Sequence, residues 1–187
     1  MTYKNSLIML AIVAIAGFAT WMTLSYRPQN GKAFTEKNVP DTLMEGVTAI
    51  IMNKEGTLDM KIETPKMVHY TENDTTNLLQ PSITLYRKSP EPWHITSRFA
   101  KATQGIDNIN FWENVVISHL ADEHDPFTEI QTTTLMVYPH DQKATTDAPI
   151  KLIQPNLIVN AIGMRADMNT GDINLLSQTR GEYVPNS

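Results

Sequence analysis

The residues best equipped for chemistry lie together in "HLADEHDP", residues 119–126, where His119 and His124 stand with Asp122, Glu123 and Asp125. Imidazole and carboxylate groups can ligate a divalent metal, and a carboxylate pair can serve as general acid and base. The spacing matches no zinc signature. Such a cluster between two apolar runs reads as a solvated hairpin turn, and no metal is expected there. Asp167 and Asp172 form a second pair, also in a turn-like stretch. A glycosidase needs two carboxylates facing each other across a cleft, whereas turn carboxylates are mostly surface charge. The chain contains no G-x-S-x-G elbow, no P-loop and no G-x-G-x-x-G. It also lacks cysteine altogether, which removes thiolate zinc sites, thiol nucleophiles and disulfides. These residues point away from an enzyme and from any cofactor.

The elements behind those residues are of two kinds. Residues 7–24, "LIMLAIVAIAGFATWMTL", carry no charge and no Pro, Asn or Gln. As a helix this run spans about 27 Å, close to the bilayer core of about 30 Å. Tyr3 stands at one end, and Trp21 and Tyr26 at the other, where amphipathic rings prefer to sit. "AIA" and "GFA" resemble signal-peptide cleavage sites, but the apolar run continues past both, which favours an uncleaved anchor. Residues 1–6 are then cytoplasmic, and the polar residues 25–40, with Pro28, Gly31 and Pro40, form a juxtamembrane linker.

From residue 41 onward the chain reads as strand after strand. "TLDMKIET", "PSITLY", "WHITS", "TLMVYP" and "APIKLI" alternate apolar and polar residues, and turn-rich stretches separate them. "IDNINFWENVVISHL" places Ile109, Phe111, Val115 and Ile117 on one face and Trp112 on the other, with a kink near Glu113. Four pieces beginning at Ile62, Ile95, Ile130 and Ile158 repeat one plan: strand, kink, strand, polar turn, apolar strand. Their period of roughly 30 residues suggests supersecondary units that share an interior. The fold class is all-β, either sandwich, barrel or solenoid. A net charge of −5 with scattered Lys and Arg excludes a nucleic-acid surface.

The largest coherent feature is apolar. By strand parity, Met60, Ile62, Leu78, Ile83, Leu85 and Val137 join Trp93, Ile95, Phe111, Val115 and Ile117 on inward faces. A packed sandwich core is the first reading of this pattern, and a groove for acyl chains is the sharper alternative. Tyr70 and Trp93 carry polar tips, which favour a groove edge.

An apolar N-terminal span followed by "NKEGTLDMKIETPKMVHY", "LLQPSITLYRKSPEPWHITSRFAKA", "INFWENVVI" and "GMRADMNTGDINLLS" closely resembles the LptC family. Its members are bitopic components of the lipopolysaccharide transport bridge of Gram-negative bacteria. The most specific pieces are Glu55-Gly56, Gln80-Pro81, Trp93 with Ile95 after a proline, and Gly163-Met164-x-Ala166-Asp167. The family often carries Gly where this chain has Glu113. The resemblance implies an open, twisted β-jelly roll of two antiparallel sheets built from LptA-like repeats, residues 41–187, in the periplasm. It implies a single-pass inner-membrane protein that takes lipopolysaccharide from an ABC permease/ATPase complex and passes it to the periplasmic bridge protein LptA. The alternative is an anchored scaffold that couples those partners without holding lipid. Carried over by position, Val47, Leu78, Trp93, Ile95, Phe111 and Val115 face lipid, with the other inward residues beside them. Val47, Ile50 and Ile51 meet the permease. Gly163, Met164, Ile173, Leu175 and Tyr183 meet the bridge protein. Ala14, Ala16, Gly17 and Thr20 give the membrane helix a small-residue packing face.

Overall fold

A computed structural model describes residues 39–87, 90–123 and 126–183. The expected cytoplasmic N-terminus, the membrane helix with Ala14, Ala16, Gly17 and Thr20, and nearly all of the linker lie outside the described residues. Among the described residues no helix is long and apolar enough to cross a membrane.

Eleven strands follow one another: β1 (Thr42–Met52), β2 (Leu58–Tyr70), β3 (Thr75–Leu79), β4 (Ser82–Leu85), β5 (Trp93–Thr96) and β6 (Phe99–Thr103) come first. Then come β7 (Asn108–His119), β8 (Thr128–Tyr138), β9 (Lys143–Gln154), β10 (Leu157–Asp167) and β11 (Ile173–Tyr183). Every pairing is antiparallel. β3 and β4 lie in line along β2, and β6 and β5 lie in line along β7. Each pair is thus one long strand broken in the middle. Counted that way, the sheet is a meander from edge strand β1 to edge strand β11.

The breaks line up across the sheet. Gly46 of β1 stands opposite Pro65 of β2, between the paired rows Glu45↔Lys66 and Val47↔Thr64. Next come Gln80-Pro81 and Ser97-Arg98, between the broken halves. Register shifts follow at Trp112/Val115 in β7, Thr132/Met136 in β8 and Ile162/Met164 in β10. Several of these residues take left-handed backbone: Gly46, Gln80, Glu113, Asn114 and Gly163 all have positive φ. Bulges of this kind bend a strand and turn its face. A continuous row of them folds the whole meander along one line, so each strand contributes half its length to each of two arms. The result is the expected all-β, antiparallel, jelly-roll-like architecture, but its strands form one continuous bent sheet where two were expected, because the ladder runs unbroken from β1 to β11.

Bending releases backbone groups from the ladder, and hydroxyls take up several of them. Thr64 Oγ1 lies 2.6 Å from the Leu79 carbonyl and 2.9 Å from that of Lys66. Ser97 donates to Phe99 O at 2.7 Å, and Thr132 to Pro149 O at 3.0 Å. The Thr146 hydroxyl accepts the Ala148 N–H at 3.1 Å. All four hydroxyl residues are buried, where an unmet polar group is costly.

The four repeats of the sequence are four bent hairpins. Their turns fall at 71–74, 104–107, 139–142 and 168–172. Inward side chains from both arms form one continuous apolar cluster. At several bends the inward parity slips by one residue. In β8 Ile130 and Thr132 point in, then Leu135 and Val137; in β10 Ala161 points in, then Met164. Leu58, which alternation assigns to the inward face, is exposed at the start of β2, beside the hairpin tip and opposite Met52.

Candidate functional site

The inward residues expected to face lipid come together. Met60 and Ile62 lie on β2, Leu78 on β3, and Ile83 and Leu85 on β4. Trp93 and Ile95 lie on β5, Phe111, Val115 and Ile117 on β7, and Val137 on β8. They belong to one cluster and are only 0–6% exposed. The interior is filled by these side chains. Val47 differs: it is half-buried on the edge strand β1, in the same inward row as Ala49 and Ile51. That row pairs with Thr64, Ile62 and Met60, so the apolar interior continues to the rim of the sheet.

Phe111 and Trp112 have separate surroundings. Phe111 is wholly buried. Trp112 is half-buried on the opposite face and stacks on Phe99 at 5.8 Å between ring centroids. Glu113 adopts φ +60°, a conformation glycine takes without strain. Here Glu rather than glycine carries that backbone, and Arg98 pairs with the Glu113 carboxylate at 3.1 Å.

The expected interface residues divide by strand. Val47, Ile50 and Ile51 lie on β1, and Ile173, Leu175 and Tyr183 on β11, the two edges of the meander. Ile50 is 56% exposed and Tyr183 70%. Ile51, Ile173 and Leu175 pack against the core from the rim. Gly163 and Met164 lie on β10, one strand in from the edge, and the Met164 side chain is fully buried. A Cβ at Gly163 would sit 2.9 Å from Leu176 Cδ1, so glycine permits the close packing of β11 on β10.

Among the described residues, those suited to chemistry form no metal cluster. His119 is buried at the end of β7, its ring centroid 4.8 Å from that of Trp93. Glu123 is exposed, and His124 and Asp125 lie outside the described residues. Among the described residues no three His, Asp or Glu side chains could share a metal. Asp167 instead holds a turn together. Its Oδ1 accepts the N–H groups of Asn169 and Thr170 at 2.9 and 3.1 Å. Those bonds hold its carboxyl below the ordinary aspartate range. Asp172 accepts the Thr170 hydroxyl at 2.8 Å in the same turn.

One feature is not legible by sequence alternation. Arg87 has a side chain only 1% exposed and pairs with Asp59 at 2.8 Å. Burial lowers its pKa, and the charge and hydrogen bond of Asp59 oppose that shift. Alternation places the bend hydroxyls of Thr64, Ser97 and Thr132 inward, two residues after an isoleucine, but does not show the carbonyls they bond. When the first three repeats are aligned, Ile62-x-Thr64, Ile95-x-Ser97 and Ile130-x-Thr132 share a column.

Comparison with protein families matches residues 7–184 to the family described as "Lipopolysaccharide-assembly, LptC-related". A search of curated proteins finds no match. Among solved structures the fold is similar to LptH, the LptA-homologous periplasmic component of the lipopolysaccharide transport device from Pseudomonas aeruginosa. The TM-score is 0.54 at 7% identity, covering 67% of this chain and 95% of that one. At that identity the likeness speaks for the fold.

Proposed function

The chain belongs to the LptC family of lipopolysaccharide-assembly proteins, and from that premise we propose that it is the anchored inner-membrane link of a lipopolysaccharide export bridge. Residues 7–24 span the membrane with 1–6 in the cytoplasm, 25–40 form a linker, and the roll, 41–187, lies in the periplasm. The roll receives lipopolysaccharide from an ABC transporter complex and passes it to a periplasmic LptA-type protein. No bond is made or broken. The carrying observation is an apolar interior that is continuous through both arms and reaches the rim at Val47, Ala49 and Ile51. Acyl chains gain about 0.8 kcal/mol for each buried CH₂, so a path that parts along one side to admit them holds a multi-acylated lipid without trapping it. Strands β1 and β11 are the edges of the sheet among the described residues, suited to strand addition by neighbouring rolls.

The nearly complete burial of the expected lipid-facing side chains supports a second reading, in which the roll couples partners and its interior stays dry. Photo-crosslinking residues placed at Leu78, Phe111 and the exposed Lys151 separate the two. A lipid path predicts lipopolysaccharide capture at Leu78 and Phe111 but not at Lys151. Equal capture at all three, or none at the inner pair during active transport, refutes the path and leaves the scaffold.

A further inference from the structure

The row of bends works as a hinge line, and the two arms meet again opposite it. The turn 139–142 lies at the free end of one arm. The loop after β4 lies at the free end of the other. Arg87 sits in that loop and joins them. Its Nη1 donates toward Asp59 Oδ1 at 2.8 Å, Tyr86 O at 2.8 Å and Asp59 O at 3.2 Å. Its Nη2 reaches across to Pro139 O at 3.4 Å. In the order of the sheet, β4 and β8 are separated by β5 and β7, so this bond joins strands that the ladder does not pair.

We propose that Arg87, held by Asp59 and reaching the Pro139 carbonyl, is a clasp that keeps the mouth of the roll shut and is released when lipid enters. This rests on reading the interior as a lipid path. Three observations carry it. The interior residues are closed to solvent, so entry requires the arms to part. The contact lies at the strand ends remote from the bend row, just past β4 and just past β8. And the clasp is built to yield: the Pro139 contact is the longest of the four, and Arg87 Nε is buried with no hydrogen-bond partner among the described residues. Opening offers that donor water, which favours release. Asp59 is itself partly exposed, so the guanidinium keeps its charge partner in the open form and is not stranded.

The absence of cysteine makes the test direct. Val137→Cys places one thiol two residues from Pro139, at a position 1% exposed. Val115→Cys places one at the hinge line as a control. Maleimide labelling of each is followed in the full-length protein in detergent micelles, with and without Arg87→Met. Loss of hydrogen bonds to a charged group predicts labelling at 137 accelerated about tenfold or more, with labelling at 115 unchanged. Unchanged labelling at 137, or equal acceleration at both sites, overturns the clasp. If Arg87→Met does not fold, Asp59→Asn is read by the same criteria. Acceleration at 137 without protection by added lipopolysaccharide leaves Arg87 as the contact that closes the roll, but refutes the lipid path and with it release by lipid. Lipopolysaccharide crosslinking at Phe111 with no acceleration does the reverse.

Discussion

Gly163 isolates the physics of the bend line in one residue. It adopts φ +78° in β10, where the Cβ of any other L residue crowds the backbone carbonyl. That conformation costs a non-glycine residue about 1–2 kcal/mol. Space adds a second term. A Cβ there would lie 2.9 Å from Leu176 Cδ1, 3.2 Å from its Cβ and 3.3 Å from its Cγ. Leu176 is exposed, so Cδ1 can rotate away. Its Cβ is fixed to the β11 backbone and cannot. The edge strand must shift by a few tenths of an ångström, an overpacking cost of about 1–3 kcal/mol. Gly163→Ala should therefore lose about 2–5 kcal/mol in all. Gly46→Ala is the matched control, since φ there is +60° and nothing lies within 4 Å of the added carbon. It should lose only the backbone part, about 1–2 kcal/mol. Urea unfolding followed by tryptophan fluorescence measures both, and hydrogen exchange should show early opening of β11 in Gly163→Ala alone. Equal losses would refute the contact with Leu176. No loss in either variant would refute the dependence of the bend on left-handed glycine.

Three further outcomes follow from the same geometry. Thr64→Val leaves the carbonyls of Leu79 and Lys66 without the hydroxyl and should cost about 1–2 kcal/mol in the same unfolding assay. Glu113→Gly relieves a left-handed non-glycine residue and should stabilise the chain by about 0.5–1 kcal/mol, since the lost ion pair with Arg98 is solvent-exposed. The lowered pKa of Asp167 means that its contribution is complete above the ordinary aspartate value of about 4 and is lost as pH falls through the lower folded value. Exchange of the Asn169 and Thr170 amides should accelerate over that acid range, and Asp167→Asn should abolish the pH dependence.

Much of the fold was legible because alternation and turn chemistry are local. The four repeats are four hairpins, and the turns "TENDTTN", "TQGIDN", "PHDQ" and "NTGD" fall where the chain reverses. The inward faces of β4, β5 and β7 were readable residue by residue. Two things were not. Parity slips at bends such as Thr132–Leu135 and Gly163–Met164, and a strict period of two does not register such a slip. Arg87 follows an apolar strand and is followed by "KSPEP", so its sequence context is that of a surface loop. Its burial comes from Asp59 and Pro139, which lie 28 and 52 residues away. A side chain whose environment is assembled by three distant segments leaves no periodic signature.

The question of core or groove has the same root. A closed roll and a roll that opens to lipid need the same inward residues on the same strands, so sequence pattern does not separate them. The difference lies in what joins the two arms. Along the bend line they are joined by continuous backbone and by the hydroxyls of Thr64, Ser97 and Thr132. Those bonds stay within a strand or between neighbours, so they survive when the arms part. Across the mouth the arms are joined by side-chain packing and by Arg87. Strong local bonds at the hinge and a long, partly satisfied contact at the mouth bias any opening to one side. An interior that opens along one side is continuous with the rim row Val47, Ala49 and Ile51, which is where a neighbouring roll added to β1 would extend it.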